Sequence, residues 1–275
     1  LPVAWENRIV GQSIAKGSPF EGFLVKDGVD ATSVEGSSNL PYQIPNMLVD
    51  LHTTNEQVRV PIQWWRAVGS THTAYATEVF VDELAVQAKQ DPVKYRATLL
   101  TKHPRHAGVL KLVAEKAGWN KPLAPAGDGA KRGRGIAVHE SFNSFVAQVV
   151  EVTVQKDGNF KVDRVVCAVD CGVVVNPDVV KAQMEGGIGF ALAAALTGEI
   201  TLKDGEVQQS NYHDYPVLRI NEMPKVEVHM VQSGEKPTGV GEPGVPPLAP
   251  ALANALFNAT GKRIRKLPIG EQLKA

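Results

Sequence analysis

Three stretches of this 275-residue chain combine residue types and spacing that could do chemistry. Gly239-Val240-Gly241-Glu242-Pro243-Gly244, followed by Val245-Pro246-Pro247, sets one carboxylate in a glycine-lined bend. Proline fixes the backbone after Glu242 and the glycines permit tight turns, so the acid has a defined position without bulky neighbours. Such a carboxylate can serve as a general base, or it can be a structural or solvated loop residue. In Trp64-Trp65-Arg66-Ala67-Val68-Gly69-Ser70, an arginine stands just before a helix start. A guanidinium fork clamps a planar oxyanion, and the first amides of the helix can share it. The other reading is aromatic core packing with Arg66 in a surface salt bridge. In Gln183-Met184-Glu185-Gly186-Gly187-Ile188-Gly189, three glycines interrupt a stretch otherwise read as helix. Each costs about 1 kcal/mol relative to alanine, so another backbone or a ligand comes close there. For a ligand, the Gln183 amide can donate and accept at once; for a packing groove, the glycines alone suffice.

The elements that must carry these residues are readable in part. Residues 1 to 60 mix short apolar runs with Gly, Pro and Asn; Met47–His52 and Gln57–Val60 are strand candidates in a region of irregular loops. Ser70-Thr71-His72-Thr73 can cap a helix that runs to Asp91-Pro92, and helical periodicity resumes over Val93–Leu100 and again over His106–Ala117, ending at Gly118. Together these predict a helical insert. Residues 121 to 135 read as a Pro- and Gly-rich linker or long loop before a strand that begins at Ile136–Val138. Phe145–Val154 and Phe160–Asp170 flank the turn Lys156-Asp157-Gly158-Asn159 as a hairpin. Asn176-Pro177 caps a helix to about Leu196, with Asp178 at its positive end. Residues 223 to 231 alternate as a strand, with Val226, Val228 and Met230 on one face, and Pro247–Ala259 predicts a final helix with Gly261 as its left-handed stop. The fold class is α+β, with mixed helices and antiparallel hairpins, divided into a loop-and-strand region with the helical insert (1–120) and an α+β unit carrying Gln183 and the Glu242 loop (121–275).

Composition narrows the function. Lys plus Arg and Asp plus Glu both number 29, so no global field exists to hold a nucleic acid. The most apolar stretch, Ile188–Leu196, is far shorter than a bilayer span. Cys167 and Cys171 are the only cysteines. On an extended strand they would lie about 13 Å apart, too far for a disulfide unless the chain turns, and their spacing suits neither zinc nor an iron–sulfur site. They read as small buried side chains. No residue set for a metal stands out. The start at Leu1-Pro2-Val3-Ala4-Trp5 resembles an interior or processed end, so the compartment is not readable from it.

Asp170-Cys171-Gly172 with Val175-Asn176-Pro177-Asp178, then Gln183–Gly187, then Gly239–Gly244 with Pro247-Leu248-Ala249-Pro250-Ala251, resembles the end of the molybdenum-binding large subunit in the xanthine dehydrogenase and aldehyde oxidase family. Trp5–Ile14, Val34-Glu35-Gly36, Trp65–Gly69, Phe80–Ala85 and His139-Glu140-Ser141-Phe142 are similar to the isoquinoline 1-oxidoreductase branch, so the likeness spans the chain. The resemblance implies the C-terminal part of a molybdopterin-binding domain and a molybdopterin cytosine dinucleotide cofactor. It also implies oxidation of an N-heteroaromatic compound or aldehyde with water as the oxygen source. By the same resemblance Glu242 matches the catalytic base. Gln183, with Gly186 and Gly187, matches the stretch beside the pterin dinucleotide; Arg66 and Gly69 match the arginine loop by the metal pocket; and Gly241, in the base's own loop, joins these five as an expected cofactor contact. Where xanthine dehydrogenases follow this arginine with Phe-Gly, the chain has Ala67-Val68-Gly69, which points away from a purine.

Family large subunits carry a Gly-Phe-Gly block and much of the cofactor cradle upstream, and no stretch here resembles them. The implied partners are therefore the remaining molybdopterin-binding portion, a small subunit with [2Fe-2S] clusters and, as a candidate electron acceptor, a cytochrome c. The resemblance leaves the setting open between the bacterial periplasm and the cytoplasm, for a soluble chain that partners could tie to a membrane. The competing reading is a non-catalytic scaffold or assembly fragment without a cofactor of its own.

Overall fold

The structure is a computed structural model that describes residues 1–56, 60 and 62–274. The first third contains β1 (Ala4–Gly11), α1 (Glu21–Leu24), β2 (Val25–Lys26), β3 (Val29–Asp30), α2 (Ala31–Val34) and β4 (Asn46–Thr53). Helices α3 (Ser70–Gln87), α4 (Pro92–Leu99) and α5 (Pro104–Lys116) follow, then strands β5 (Lys131–Ser141), β6 (Ser144–Val154) and β7 (Phe160–Asp170). The chain closes with α6 (Pro177–Thr197), β8 (Leu202–Lys203), β9 (Glu206–Val207), β10 (Lys225–Met230) and α7 (Leu248–Thr260).

The expected α+β class is what the structure shows. Its main sheet has the order β10-β7-β6-β5, antiparallel from β5 to β7, with β10 added parallel to β7. Alternation along the strands divides the core between two layers. Val146, Val150, Val165, Cys167 and Val169 face α6 and α7. Ala147, Val149, Val166 and Ala168 face α5, which contributes Val109, Leu110 and Val113. Leu248, Leu252 and Leu256 of α7 are fully buried, each worth about 1.5–3 kcal/mol of hydrophobic stabilisation. Helices α3 and α4 join α5 in the second cluster through Val81, Ala85, Tyr95 and Leu99, while Val79 of α3 reaches the first.

Local signals land where the sequence puts them. Asp91 Oδ1 accepts from Val93 N and Lys94 N at 3.0 Å each, and Asn176 Oδ1 accepts from Asp178 N at 3.0 Å and Val179 N at 3.2 Å. Gly261 ends α7 with φ 75°. Val226, Val228 and Met230 pack on the α6 side, as their alternation predicts. Helix α5 begins two residues before its predicted start, with Pro104 in its first turn. Cys167 and Cys171 are free and buried, and burial pushes the Cys167 thiol up to about 12.

Three expectations change. Strand β5 starts at Lys131, so the Gly- and Pro-rich segment is not a linker up to residue 135. Gly133 and Gly135 lie inside the strand because α7 presses on it: a Cβ on Gly135 would sit 2.2 Å from Ala255 N, and one on Gly133 would sit 2.1 Å from Ala255 O. The predicted cap of α3 is also absent, since Gly69 occupies the N-cap without a side-chain bond of its own. Strand β1 pairs parallel with β4 along all eight residues, giving the irregular first third a two-stranded ribbon. The candidate strand Gln57–Val60 lies outside the described residues except at Val60. Helix α6 runs from its expected cap to Thr197, one residue past its expected end, and is long and apolar enough to cross a membrane by length and composition. Here Val180, Met184, Ile188 and Leu192 bury its face against the sheet instead.

His106 of α5 and His139 of β5 are buried, and among the described residues neither Nε2 has a hydrogen-bond partner. Burial, reinforced by His103, His139 and Arg105, lowers His106 to about 3; burial alone lowers His139 to about 4. Both are neutral when folded, whereas the unfolded chain protonates them below about pH 6.5. The stability they contribute is full above that pH and is lost as pH falls towards 4 and then 3. Urea midpoints should drop across this window, and His139→Gln should flatten the slope. Gly135→Ala should cost about 1–3 kcal/mol by overpacking against the α7 backbone, seen as a lower urea midpoint with unchanged m.

Candidate functional site

The three sequence stretches meet through the side chain of Arg66. After Trp64 and Trp65 the backbone turns through Ala67 (φ 75°) and Val68 (φ 46°), left-handed values that are strained for a β-branched residue. This turn sends the guanidinium away from its own helix. Arg66 Nε donates to Gly241 O at 2.7 Å, while Nη2 donates to Gln183 Oε1 at 3.0 Å and also to Gly241 O. The tryptophans are not core residues: Trp64 is 41% and Trp65 39% exposed. Trp65 stacks on Phe190 of α6 with ring centroids 4.6 Å apart, and Phe190 also lies 5.8 Å from the Arg66 guanidinium.

Helix α6 offers the second face. Its Asn176 cap starts the helix, and Gln183 lies on the side facing Arg66. A Cβ on Gly187 would stand 3.2 Å from Gly244 C, and one on Gly189 would stand 3.3 Å from Met223 Sδ, so helix packing accounts for these two glycines. Gly186 is exposed, and the heavy atom nearest its missing Cβ is Arg66 Nη1 at 4.0 Å. It is the glycine that borders the open side.

The third component is the glycine bend before α7. Strand β6 holds it from beneath through two polar residues on one face. Ser144 Oγ donates to Gly239 O at 2.7 Å, and fully buried Gln148 donates from Nε2 to Gly244 O at 2.8 Å. Val245 N closes the bend on Glu242 O at 2.9 Å. Residues 243 to 248 are buried, whereas Glu242 is half-buried and Gly241 has open space where a Cβ would stand. Among the described residues no hydrogen bond or ion pair holds the Glu242 carboxylate.

The structure therefore brings together Arg66, Gln183, Gly186 and Gly241, with Glu242 next in the chain and Gly187 supporting the bend from below. Gly69 does not join them. Its amide donates to Glu35 Oε1 at 2.8 Å, and a Cβ on it would fall 1.7 Å from Thr32 O, so it is a close-packing glycine. The sequence reading missed Ser144, Gln148 and Glu35 as supports. Gln148 left one signal, a lone amide in the apolar run from Phe145 to Val154. A cleft of about 340 Å³ opens beside Trp65, Val68 and His72; a larger one of about 620 Å³ lies by Trp119, Arg132 and Phe257, towards the other end of α3. Among the described residues no three His, Cys, Asp or Glu side chains gather to hold a metal ion.

The chain and its fold have known counterparts. Residues 74–224 match the molybdopterin cofactor-binding domain family. The beta subunit of isoquinoline 1-oxidoreductase from Brevundimonas diminuta is 38% identical over 83% of the chain, which spans 29% of that protein. A subunit of the nicotinate dehydrogenase of Pseudomonas putida is 35% identical over 86% of the chain, which spans 21% of it. The fold superposes on the aldehyde oxidoreductase of Desulfovibrio gigas with a TM-score of 0.78 over 98% of this chain and 46% of that one, at 14% identity. The chain is thus a member of the molybdenum-binding subunits of the xanthine dehydrogenase and aldehyde oxidase family, homologous to the isoquinoline 1-oxidoreductase beta subunit.

Proposed function

We propose that this chain supplies the general base and one wall of the cofactor pocket in a molybdenum hydroxylase that oxidises an N-heteroaromatic compound or an aldehyde with water as the oxygen source. The observation that carries the reading is Arg66 bound at once to Gln183 and to the carbonyl beside Glu242, which gathers three distant segments onto one open face. A scaffold needs no such gathering, nor a half-buried carboxylate left without a partner.

The residues present fit a pterin dinucleotide. Gly186 and Gly241 expose bare backbone where a side chain would fill the space, and Arg66 and Gln183 contribute guanidinium and amide groups suited to phosphate and amide edges. We assign Arg66, Gln183, Gly186 and Gly241 to hold it, with Gly187 and Gly69 setting the backbone behind. When bound, molybdopterin cytosine dinucleotide supplies a Lewis acid and an electron sink.

This chain's own contribution is then proton transfer and orientation. Glu242 would take the proton from the attacking oxygen nucleophile, and the hydride equivalent released as the carbon–hydrogen bond breaks would be taken up by the bound cofactor as electron sink. Gln148, Ser144 and Arg66 fix the carbonyls of Gly244, Gly239 and Gly241, so the base is held at both ends of its bend. Electron transfer onward would need [2Fe-2S] clusters on a partner chain, with a cytochrome c as candidate acceptor. The remaining cofactor-binding portion of the large subunit completes the pocket. Both curated relatives are named as subunits, and this chain spans less than a third of either, which supports an active unit larger than the chain.

Glu242→Gln in the assembled enzyme should keep the fold and the cofactor yet lower kcat/KM by about 10²- to 10⁴-fold. The check is the reductive half-reaction at matched molybdenum and iron–sulfur content, and a wild-type rate there would remove Glu242 as the base. Gln148→Leu should cost about 1–3 kcal/mol by leaving Gly244 O buried without its donor. It should also lower kcat more than it raises KM; an unchanged melting temperature and kcat would mean the bend is held without Gln148.

A further inference from the structure

Glu35 sits just after α2, on a segment with no assigned part in the site. Its Oε1 accepts from Gly69 N at 2.8 Å and Ser70 N at 3.3 Å, the first amides of α3, which has no side-chain cap of its own. Its backbone carbonyl accepts from Thr73 Oγ1 at 2.7 Å, one turn further on. Thr71 Oγ1 then donates back to Arg66 O at 3.0 Å. Between Arg66 and these amides stand only Ala67 and Val68, both left-handed. Two non-glycine residues hold such values only where the surroundings over-determine them.

We propose that Glu35 is a positioning residue: its carboxylate, bound to the Gly69 and Ser70 amides, holds the left-handed Ala67–Val68 turn that aims Arg66 at Gly241 and Gln183. This rests on the reading of Arg66 and Glu242 as parts of the active pocket. The choice of a charged side chain follows from the partner, because two free amides at a helix start favour an anion. The surroundings press the other way. Burial raises the Glu35 carboxyl, the two amides oppose that shift, and the charges of Glu242 and Asp30 add to it. Asp30 is itself tied to Thr32 N at 2.9 Å and Ser13 Oγ at 2.5 Å, so the segment beneath Gly69 is braced on both sides. Gly69 must lie flat on it, since any Cβ would meet Thr32 O.

The test uses the complete molybdenum hydroxylase that contains this chain. Glu35→Ala, Glu35→Asp and Glu35→Gln are each made with Arg66 and with Arg66→Ala, and two quantities are read: amide hydrogen exchange at Gly69 and Ser70, and kcat/KM. Loss of the cap should raise exchange at these amides about tenfold or more, with α5 unaffected, and lower kcat/KM about tenfold when Arg66 is present. In the Arg66→Ala background the same change should matter less than about twofold, because residues acting through one another are not additive. Glu35→Gln, which keeps an acceptor, should retain most protection and most of kcat/KM. Glu35→Asp is one methylene short of the amides and should fall between, which covers the case of an Ala variant that does not assemble. Unchanged exchange in both Ala and Asp variants, or equal losses of kcat/KM in the two Arg66 backgrounds, overturns the proposal. The exchange result decides on Glu35 whatever Glu242→Gln shows, so the two readings fail separately.

Discussion

Burying a carboxylate is tolerable only where charge and hydrogen bonds replace water, and Glu78 sets that condition at the centre of this fold. The side chain is 1% exposed and accepts from Tyr42 Oη at 2.5 Å, Arg96 Nε at 2.9 Å and Val138 N at 2.9 Å. Arg96, fully buried, also donates to Glu78 O at 2.9 Å, and Asn254 Nδ2 donates to Ile136 O at 3.1 Å. Asp82, one turn along α3, pairs with Arg263 at 2.9 Å. Burial opposes charge on Arg96, but Glu78, Tyr42 and Asp82 outweigh it and its pKa is raised; burial and Glu78 push Tyr42 up. One cluster therefore fixes α3, α4, β5 and α7 against each other. Its reach explains why the site can be made of loops, because the arginine turn precedes α3 and the Glu242 bend precedes α7.

From that frame the site is assembled by backbone carbonyls more than by side-chain pairs. Gly239, Gly241 and Gly244 each present a carbonyl to a donor from another element, namely Ser144, Arg66 and Gln148. A loop rich in glycine has much conformational freedom to lose, so its order depends on these donors. The arrangement leaves the Glu242 carboxylate unengaged among the described residues while its main chain is pinned, as the proposed general-base role requires. The open side, with Gly186, Gly241 and the exposed rings of Trp65 and Phe190, is shaped by one wall only. That fits a chain spanning under a third of its curated relatives.

What the sequence determined by itself is what neighbouring residues decide. Asn176-Pro177 and Asp91-Pro92 start helices because the capping oxygen and the amides it serves are two or three residues apart. Gly261 stops α7 for a similarly local reason, and alternation in Phe145–Val154 and Phe160–Asp170 defines strands and their faces. The motifs around Glu242, Gln183 and Arg66 were likewise visible as motifs, with their order and spacing. Tertiary structure decided the rest, because the causes lie far along the chain. Gly133 and Gly135 read as linker residues until α7, more than a hundred positions later, presses on their strand. The parallel pairing of β1 with β4 joins segments some forty residues apart, and no local pattern encodes such a register. The cap of α3 comes from Glu35, 34 residues upstream, and the meeting of Arg66 with Gly241 spans 175 residues. Spacing in sequence names the groups that can do chemistry; only packing sets the distances between them, since contact between remote segments depends on the whole buried frame.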